Sequence, residues 1–125
     1  MPMSISIDVK SGVPFYRQII DQVKTAMATG QVEPGDRLPT VRQLAVDLSI
    51  NPNTVSRAYT ELELTGLVET HMGSGTFVGQ KRVEQDDVER KRILDQICQD
   101  FLSRAATHGF TLEDVLTCLD QRKHR

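Results

Sequence analysis

The stretch that decides the fold is residues 51–66, which read Asn-Pro-Asn-Thr-Val-Ser-Arg-Ala-Tyr-Thr-Glu-Leu-Glu-Leu-Thr-Gly. Asn51 can cap a helix, and Pro52 then occupies the first helical position, where its missing N–H costs no hydrogen bond. Apolar residues recur at helical spacing and predict one buried face: Val55, Ala58, Tyr59 and Leu62. We therefore expect a helix that begins directly after Asn51, with Tyr59 in the core rather than on a stacking surface.

The opposite face of this helix is polar at its start. Short hydrogen-bonding side chains and one cation crowd there: Asn53, Thr54, Ser56 and Arg57. Side chains of this kind, at the end of a helix that can enter the major groove, are typical of a DNA-reading helix. Other interpretations stay open, since such residues also cap helices, and Arg57 is one turn from Glu61, with which it could form a weak surface ion pair.

The residues just before this helix predict a helix-turn-helix. Thr40 and Gln43 have capping-box spacing and predict a second helix over Val41–Leu48, with Arg42 outside in its first turn. Only residues 49–51 separate the two helices. Two short helices with so tight a connection are typical of a helix-turn-helix.

An N-terminal segment and one further helix precede this motif. Ile5, Ile7 and Val9 alternate with polar neighbours, which favours a short edge strand or an extended arm. Pro14 then opens a helical pattern that Gly30 ends. Its apolar face is expected to hold Phe15, Ile19, Ile20, Val23, Ala26 and Met27.

The hydrophobic period changes after Gly66. Residues 67–71 and 76–78 have a strand-like pattern, and residues 72–75, Met-Gly-Ser-Gly, form a turn signal between them. A hairpin directly after a DNA-reading helix is a wing. Together with the first helix and a stub of extended chain near Leu38, these elements predict a winged helix-turn-helix over roughly residues 10–80.

Charged amphipathic helices are predicted after residue 83, with a break at Gly109 and with Thr111 and Asp114 capping the last one. Roughly forty residues in two helices cannot enclose a core alone, so their apolar faces need a partner surface. A second copy is the natural partner, because two half-sites on DNA favour two-fold symmetry. The expected dimerisation residues are Leu94, Ile97, Phe101, Leu102, Leu112, Val115, Leu116 and Leu119.

These patterns together define an expected architecture. The fold class is mainly α with a small β-hairpin: an N-terminal winged helix-turn-helix followed by two C-terminal dimerisation helices. We expect a DNA-binding domain over residues 1–80 and a short helical dimerisation region over residues 81–125.

The net charge gives poor support for nucleic-acid binding. The 125 residues include 15 Lys and Arg against 17 Asp and Glu, and residues 1–82 hold eight of each kind. Because phosphate contacts usually leave a basic footprint, the local placement of charge has to supply any DNA binding. No apolar run is long enough to cross a membrane and the N-terminus lacks a secretion signal, so we expect no membrane partner. Two cysteines, Cys98 and Cys118, do not make a disulfide framework, which favours a reducing cytoplasm as the expected location.

Catalysis and metal binding are not predicted. His71, His108 and His124 do not converge with the cysteines at a metal-ligand spacing, and no catalytic serine arrangement or glycine-rich phosphate loop is recognisable. Cys98 and Cys118 lie beside apolar residues and are expected to be buried, inert thiols. We therefore expect neither an enzyme nor a cofactor; a metal- or thiol-based sensor is kept as an alternative.

Four motifs follow one another in a specific order. They are Gly-Asp-Arg-Leu-Pro-Thr-Val-Arg-Gln-Leu-Ala at residues 35–45, Asn-Pro-Asn-Thr-Val at 51–55, Gly-Leu-Val at 66–68, and Gly-Ser-Gly-Thr-Phe-Val at 73–78. This ordered set resembles the GntR family of bacterial transcription regulators, over residues 14–78. The Asn-Pro-Asn-Thr-Val version and the short C-terminal part are similar to the YtrA-type subfamily. The resemblance implies a dimeric repressor or regulator whose C-terminal helices pair the subunits.

The resemblance also implies which positions contact DNA. They lie at the starts of the two helices and at the wing: Thr40, Arg42, Asn51, Asn53, Thr54, Ser56, Arg57, His71, Gly73, Ser74 and Gly75. Many family members carry arginine where this chain has Pro52 and Ser56, and Arg or Lys where it has His71 and Ser74. Because these departures remove positive charge, we predict modest affinity for DNA with a shallow salt dependence.

The predicted function is a homodimeric, cytoplasmic, sequence-specific DNA-binding transcription regulator, a repressor at a palindromic operator. The alternative is a winged-helix protein-interaction module without DNA readout, which the neutral charge balance and the depleted wing favour. A small-molecule effector, if one acts, would sit at the dimer interface or between the helices and the winged domain. The C-terminal part is too short for a large effector pocket.

Overall fold

The computed structural model describes residues 3–80 and 87–123. Its elements are, in chain order, α1 (Phe15–Ala28), α2 (Val41–Leu48), α3 (Pro52–Leu64), β1 (Val68–His71), β2 (Gly75–Val78), α4 (Asp87–Thr107) and α5 (Leu112–Lys123). The described residues form two compact units, one up to residue 80 and the other from residue 87. The predicted fold class, mainly α with a small β-hairpin, is confirmed. The predicted start of the fourth helix near Val83 lies outside the described residues.

The core of the first unit is built on α3, against which α1, α2 and β1 pack. The buried residues of α3 are those of the predicted apolar face, Val55, Ala58, Tyr59 and Leu62. Most of the face predicted for α1 is also buried, whereas Phe15 and Met27 are only half-buried. Burying a single Val, Leu or Ile side chain stabilises a fold by about 1.5–3 kcal/mol. The shared core therefore fixes how α2 and α3 are oriented.

A tight turn joins α2 to α3. Ser49 adopts a left-handed conformation with φ 56°. The N–H of Ile50 then donates to the carbonyl of Ala45 at 3.1 Å, which satisfies one of the last carbonyls of α2. The chain re-enters a helix at Pro52, so the predicted helix-turn-helix connection is confirmed.

The wing is an antiparallel hairpin of β1 and β2. Each strand begins and ends within one residue of its predicted bounds. The extended stub before α2 runs along the free edge of β2. The N–H of Leu38 donates to the carbonyl of Thr76 at 2.8 Å, and the N–H of Val78 donates to the carbonyl of Asp36 at 2.8 Å. The stub therefore ties the wing directly to the segment that leads into α2.

The segment before α1 is an extended arm, and the alternative of an edge strand is wrong. Gln22 pairs with the backbone of Ser6, donating from Nε2 at 2.7 Å and accepting at Oε1 at 3.0 Å. Gln18 makes the same pair of bonds with the backbone of Asp8, at 3.0 and 2.8 Å. These glutamine amides take the place of a neighbouring strand, because they satisfy the backbone groups that a strand would otherwise satisfy.

In the second unit, α4 and α5 bury no residue in the described part of the chain. The predicted break at Gly109 is confirmed, with φ 83°. The predicted cap of α5 is also confirmed: the N–H of Thr111 donates to Asp114 Oδ2 at 2.9 Å, and the N–H of Asp114 donates to Thr111 Oγ1 at 3.2 Å. Cys98 and Cys118 are exposed, so the expectation of buried thiols is wrong for the single chain. The reason is that neither helix has a core in which to bury them.

Candidate nucleic-acid interface

The start of α2 presents a capping threonine and an exposed cation. Thr40 Oγ1 accepts from the N–H of Gln43 at 3.0 Å. The predicted capping box is only half formed, because Gln43 Nε2 donates instead to Asp47 Oδ1 at 2.8 Å. Arg42 is exposed, and the ion pairs in the described part of the chain do not include it. Its guanidinium can therefore contact a phosphate without first breaking a salt bridge.

The start of α3 is capped by Asn51, as predicted. Asn51 Oδ1 accepts from the N–H of Asn53 at 2.8 Å, which leaves the amide donors of Asn51 for another partner. Asn53 and Ser56 are exposed, whereas Thr54 is half-buried. The exposed polar side chains of the first two turns thus point away from the core that holds the opposite face of α3.

Arg57 of α3 contacts two side chains, Tyr16 of α1 and Glu61 of α3. Its guanidinium carbon lies 3.7 Å from the centre of the Tyr16 ring, and its Nε lies 3.8 Å from Glu61 Oε1. The ion pair with Glu61, one of the open alternatives, is present. The contact with Tyr16 was missed by sequence reasoning, because no spacing rule relates residues on two different helices. These two contacts give the side chain of Arg57 a preferred position.

Tyr59 connects α3 with the segment that leads into α2. Its hydroxyl donates to the carbonyl of Pro39 at 2.7 Å, and the residue is buried, as predicted. Burial raises the pKa of Tyr59 above its ordinary range, because the phenolate would lose its hydration. Since Pro39 directly precedes Thr40, this hydrogen bond positions the start of α2 relative to α3.

The tip of the wing is a tight turn with its side chains exposed. The N–H of Ser74 donates to the carbonyl of His71 at 3.0 Å, which closes the turn. Gly73 has φ 80° and Gly75 has φ 119°, values at which a side chain would be strained. Met72, which lies between His71 and Gly73, is 99% exposed. The turn therefore offers backbone groups and little charge.

His71 is engaged within the wing. Its ring lies 5.4 Å from the ring of Phe77, and its Nε2 lies 3.6 Å from Glu69 Oε2. The carboxylate of Glu69 is exposed beside it, so the wing surface has no net positive charge from its own residues. This arrangement agrees with the low charge expected of the wing.

A cation beside the wing was missing from the predicted site residues. Arg37 forms an antiparallel bridge with Phe77. A Cβ added to Gly75 would lie 3.1 Å from Arg37 Nε and 3.4 Å from its Nη2, so the guanidinium lies across this glycine. The sequence predicts an extended stub near Leu38, which includes Arg37. It does not predict that this stub pairs with β2, because the two segments are far apart in the chain.

Three further features bear on metals, small molecules and membranes. The described residues contain no group of at least three His, Cys, Asp or Glu that could hold a metal ion. An open hollow of about 200 Å³ lies beside the wing. Its volume is smaller than that of usual small-molecule sites, which measure roughly 300–1,000 Å³. It is lined by Gly35, Glu69, His71, Phe77, Val78 and Gln80. Among the helices that the structure describes, none is both long and apolar enough to traverse a bilayer.

The helix-turn-helix with its glycine-tipped wing recurs in known proteins. Residues 15–78, more than half of the chain, match the model of the bacterial regulatory proteins of the gntR family. The chain belongs to the GntR family. The HTH-type transcriptional repressor YtrA of Bacillus subtilis (strain 168) is 50% identical over 76 residues, which are 61% of this chain and 58% of that protein. The HTH-type transcriptional regulator Rv1152 of Mycobacterium tuberculosis is 46% identical over 92% of this chain and 90% of its own length.

Two solved structures have a similar fold. YtrA from Sulfolobus acidocaldarius, a GntR-family transcription factor, superposes with a TM-score of 0.57 at 29% identity, over 94% of each chain. The AraR DNA-binding domain in complex with operator ORE1 superposes with a TM-score of 0.52 at 25% identity, over 58% of this chain and 89% of that chain. The resemblance to the GntR family and to its YtrA-type subfamily is confirmed, and so is the winged helix-turn-helix.

Proposed function

We propose that this GntR-family regulator is a homodimeric repressor that binds a palindromic operator through the starts of α2 and α3 and the tip of the wing. Family membership makes it a DNA-binding transcription regulator; the dimer, the repression and the contact residues are the proposal. The observation that carries it is the exposure of Arg42, Asn53 and Ser56 at neighbouring helix starts, while the opposite faces of both helices form the core. The name of the related repressor YtrA supports repression.

Each proposed contact uses a chemistry that its residue offers. Arg42 can make charge-assisted hydrogen bonds to a phosphate at the start of α2, where the helix dipole also favours an anion. The amide of Asn53 can pair with both polar atoms of an adenine edge, which gives base readout. Gly73 and Gly75 let backbone N–H groups of the wing approach the sugar–phosphate backbone closely.

The proposal of a homodimer rests on the surface of α4 and α5. Their large apolar side chains are exposed at helical spacing, with Leu94 at 60%, Ile97 at 57% and Phe101 at 51%. The same is true of Leu102, Leu112, Leu116 and Leu119, while Val115 is half-buried. A second copy would cover these side chains with an identical surface, and its two-fold axis would direct two copies of α3 to two half-sites.

In this proposal the chain acts in the cytoplasm by binding alone, without a catalytic step or a cofactor. A small-molecule effector would act where the α4 and α5 surfaces of two copies meet, since ligand sites are commonly built between helices of a bundle. An effector there would change the relative position of the two α3 helices, and with it the affinity for the operator.

The experiment that tests the proposed function is selection from random-sequence DNA with the full chain. The expected product is a palindrome whose half-sites are about one helical turn, roughly 10 base pairs, apart. Sedimentation of the free protein should show a dimer. A single enriched half-site and a monomer would leave DNA reading intact but contradict the dimer. No enrichment, and no shift of DNA upstream of its own gene at low salt, would favour the protein-interaction module.

A pair of variants tests the division of labour between phosphate and base contacts. Arg42→Ala should weaken binding to all sequences alike, because a phosphate contact carries no sequence information. Asn53→Ala should instead change which sequences are enriched. If Arg42→Ala altered only the preference, the assignment of the two roles would be wrong.

A further inference from the structure

The wing of this chain has no strong cation in its own sequence. Residues 68–78 contain no Lys or Arg, and the imidazole of His71 lies 3.6 Å from the carboxylate of Glu69. Backbone N–H groups alone would supply little of the salt-dependent attraction that positions a protein on DNA. A cation from another segment is therefore needed if the wing is to bind the backbone firmly.

Arg37 is fixed beside the wing tip by the pairing of its backbone. The hydrogen bonds of Leu38 to Thr76 and of Val78 to Asp36, both 2.8 Å, clamp the stub to β2 on either side of Arg37. In the resulting antiparallel bridge Arg37 lies opposite Phe77, so the two side chains share one face of the sheet.

Gly75 leaves the space through which the side chain of Arg37 runs. A Cβ at this position would lie 3.1 Å from Arg37 Nε, 3.4 Å from Nη2 and 3.5 Å from Cζ, which is tighter than ordinary van der Waals contact for the nearest atom. The missing side chain of Gly75 thus leaves room for the guanidinium of Arg37 in this position. The charge is placed at the end of β2 that joins the turn.

The charge of Arg37 is available to a ligand. Arg37 is exposed, and the ion pairs in the described part of the chain do not include it. Arg57 differs in this respect, since its Nε lies 3.8 Å from Glu61 Oε1.

We propose that Arg37 supplies the cation of the wing and contacts a DNA backbone phosphate beside the tip. The proposal rests on the proposed DNA-binding function and adds a residue to it. The planar guanidinium can give two parallel N–H donors to one phosphate, and the glycine beneath it allows the DNA backbone to approach. Because the contact is to phosphate, it should be independent of base sequence.

The test compares Arg37→Gln with Arg37→Lys, and uses Lys24→Gln as a matched control for the loss of one positive charge. Lys24 is an exposed lysine of α1, outside the helix starts and the wing. The probes are two fluorescent duplexes, one recovered by selection from random DNA and one of unrelated sequence. Dissociation constants are measured by anisotropy over a range of salt concentrations, after circular dichroism has shown that each variant melts like the wild type.

Arg37→Gln should weaken binding to both duplexes alike, by about tenfold. It should also reduce the slope of log K against log salt by about 0.9 for each subunit bound, whereas Arg37→Lys should keep the slope. A slope equal to that of Lys24→Gln would overturn the inference and leave the proposed function standing. Weaker binding to the selected duplex alone would also overturn it, since Arg37 would then read bases. A wild-type chain that bound neither duplex would overturn the proposed function together with the inference.

Discussion

The guanidinium carbon of Arg57 lies 3.7 Å from the centre of the Tyr16 ring, which joins α3 to α1 through a cation–π contact. Glu61 holds the same guanidinium with an ion pair of 3.8 Å. A side chain that already has a preferred position loses less conformational freedom when a ligand binds. Tyr16 is therefore expected to act as a positioning residue for Arg57.

Replacing Tyr16 by Leu should weaken operator binding by about two- to fivefold, since a cation–π contact at an exposed site is worth about 0.5–1 kcal/mol. The same substitution should have no effect when Arg57 has already been replaced by Ala. Anisotropy measurements on the wild type, the two single variants and the double variant form the required cycle. Tyr16→Phe keeps the ring and serves as the control. Additive losses in the double variant would mean that Tyr16 does not act through Arg57.

Asn51 allows helix capping to be separated from DNA contact. Asn51→Asp keeps an oxygen that can accept from the N–H of Asn53 and adds a charge that the helix dipole favours, so urea unfolding should show no loss of stability. DNA binding should nevertheless fall by about tenfold, because a like charge within about 5 Å of a phosphate costs on the order of 1–3 kcal/mol. Asn51→Ala should lose about 1 kcal/mol of stability. Undiminished DNA binding by Asn51→Asp would place residue 51 away from the phosphates.

The helix starts of the first unit were predictable because local chemistry decides them. Capping rules concern residues two or three positions apart, as at Asn51 and Thr40. Accordingly, α2 has the predicted bounds and α3 begins at Pro52. Local competition explains the exception at Gln43, whose side chain bonds to Asp47 one turn later instead of returning to the cap. The sequence shows that the side chain of Gln43 can bond either to the cap at Thr40 or to Asp47, but it does not show which of the two bonds forms.

Contacts between distant segments were not predictable in the same way. The approach of Arg37 to Gly75 depends on a stub pairing with β2, and that of Tyr16 to Arg57 depends on how α1 packs on α3. No residue spacing encodes either contact. Cys98 shows a related limit of sequence analysis. The apolar stripe on which it lies indicates that α4 packs against another surface, but not whether that surface belongs to the same chain, and in the single chain Cys98 is exposed.

Phe101 provides a test of the proposed dimer. Phe101→Glu places a charge in the middle of the apolar surface of α4 and should cost about 2 kcal/mol or more of association free energy. The matched control is Gln99→Glu, which adds the same charge at an exposed position on the other side of the same helix. Sedimentation should show a monomer only for Phe101→Glu, with operator binding weakened in parallel. Two variants with the same dimer affinity would contradict the proposed interface.

The hydrogen bond from Tyr59 to the carbonyl of Pro39 should be measurable as stability. Tyr59→Phe leaves a carbonyl without its partner in a partly buried setting and is expected to lower the free energy of unfolding by about 1–2 kcal/mol in urea at neutral pH. Tyr16→Phe removes the hydroxyl of a half-buried tyrosine that donates no hydrogen bond to the described residues, so it should have a smaller effect. Equal losses in the two variants would show that the hydrogen bond of Tyr59 contributes nothing specific.

The same hydroxyl should also make the stability depend on pH in alkaline solution. Burial raises the pKa of Tyr59 in the folded state above the value of about 10 that tyrosine has in the unfolded chain. Above that pH the unfolded state therefore loses its proton first, so the stability from this group is complete below about pH 10 and declines as the pH rises further, by up to about 1.4 kcal/mol per pH unit. Tyr59→Phe should lack this part of the decline when urea unfolding is compared at about pH 9 and about pH 11. A wild type and a variant that lost stability equally over this interval would show that the phenol of Tyr59 ionises as readily in the folded protein as in the unfolded chain.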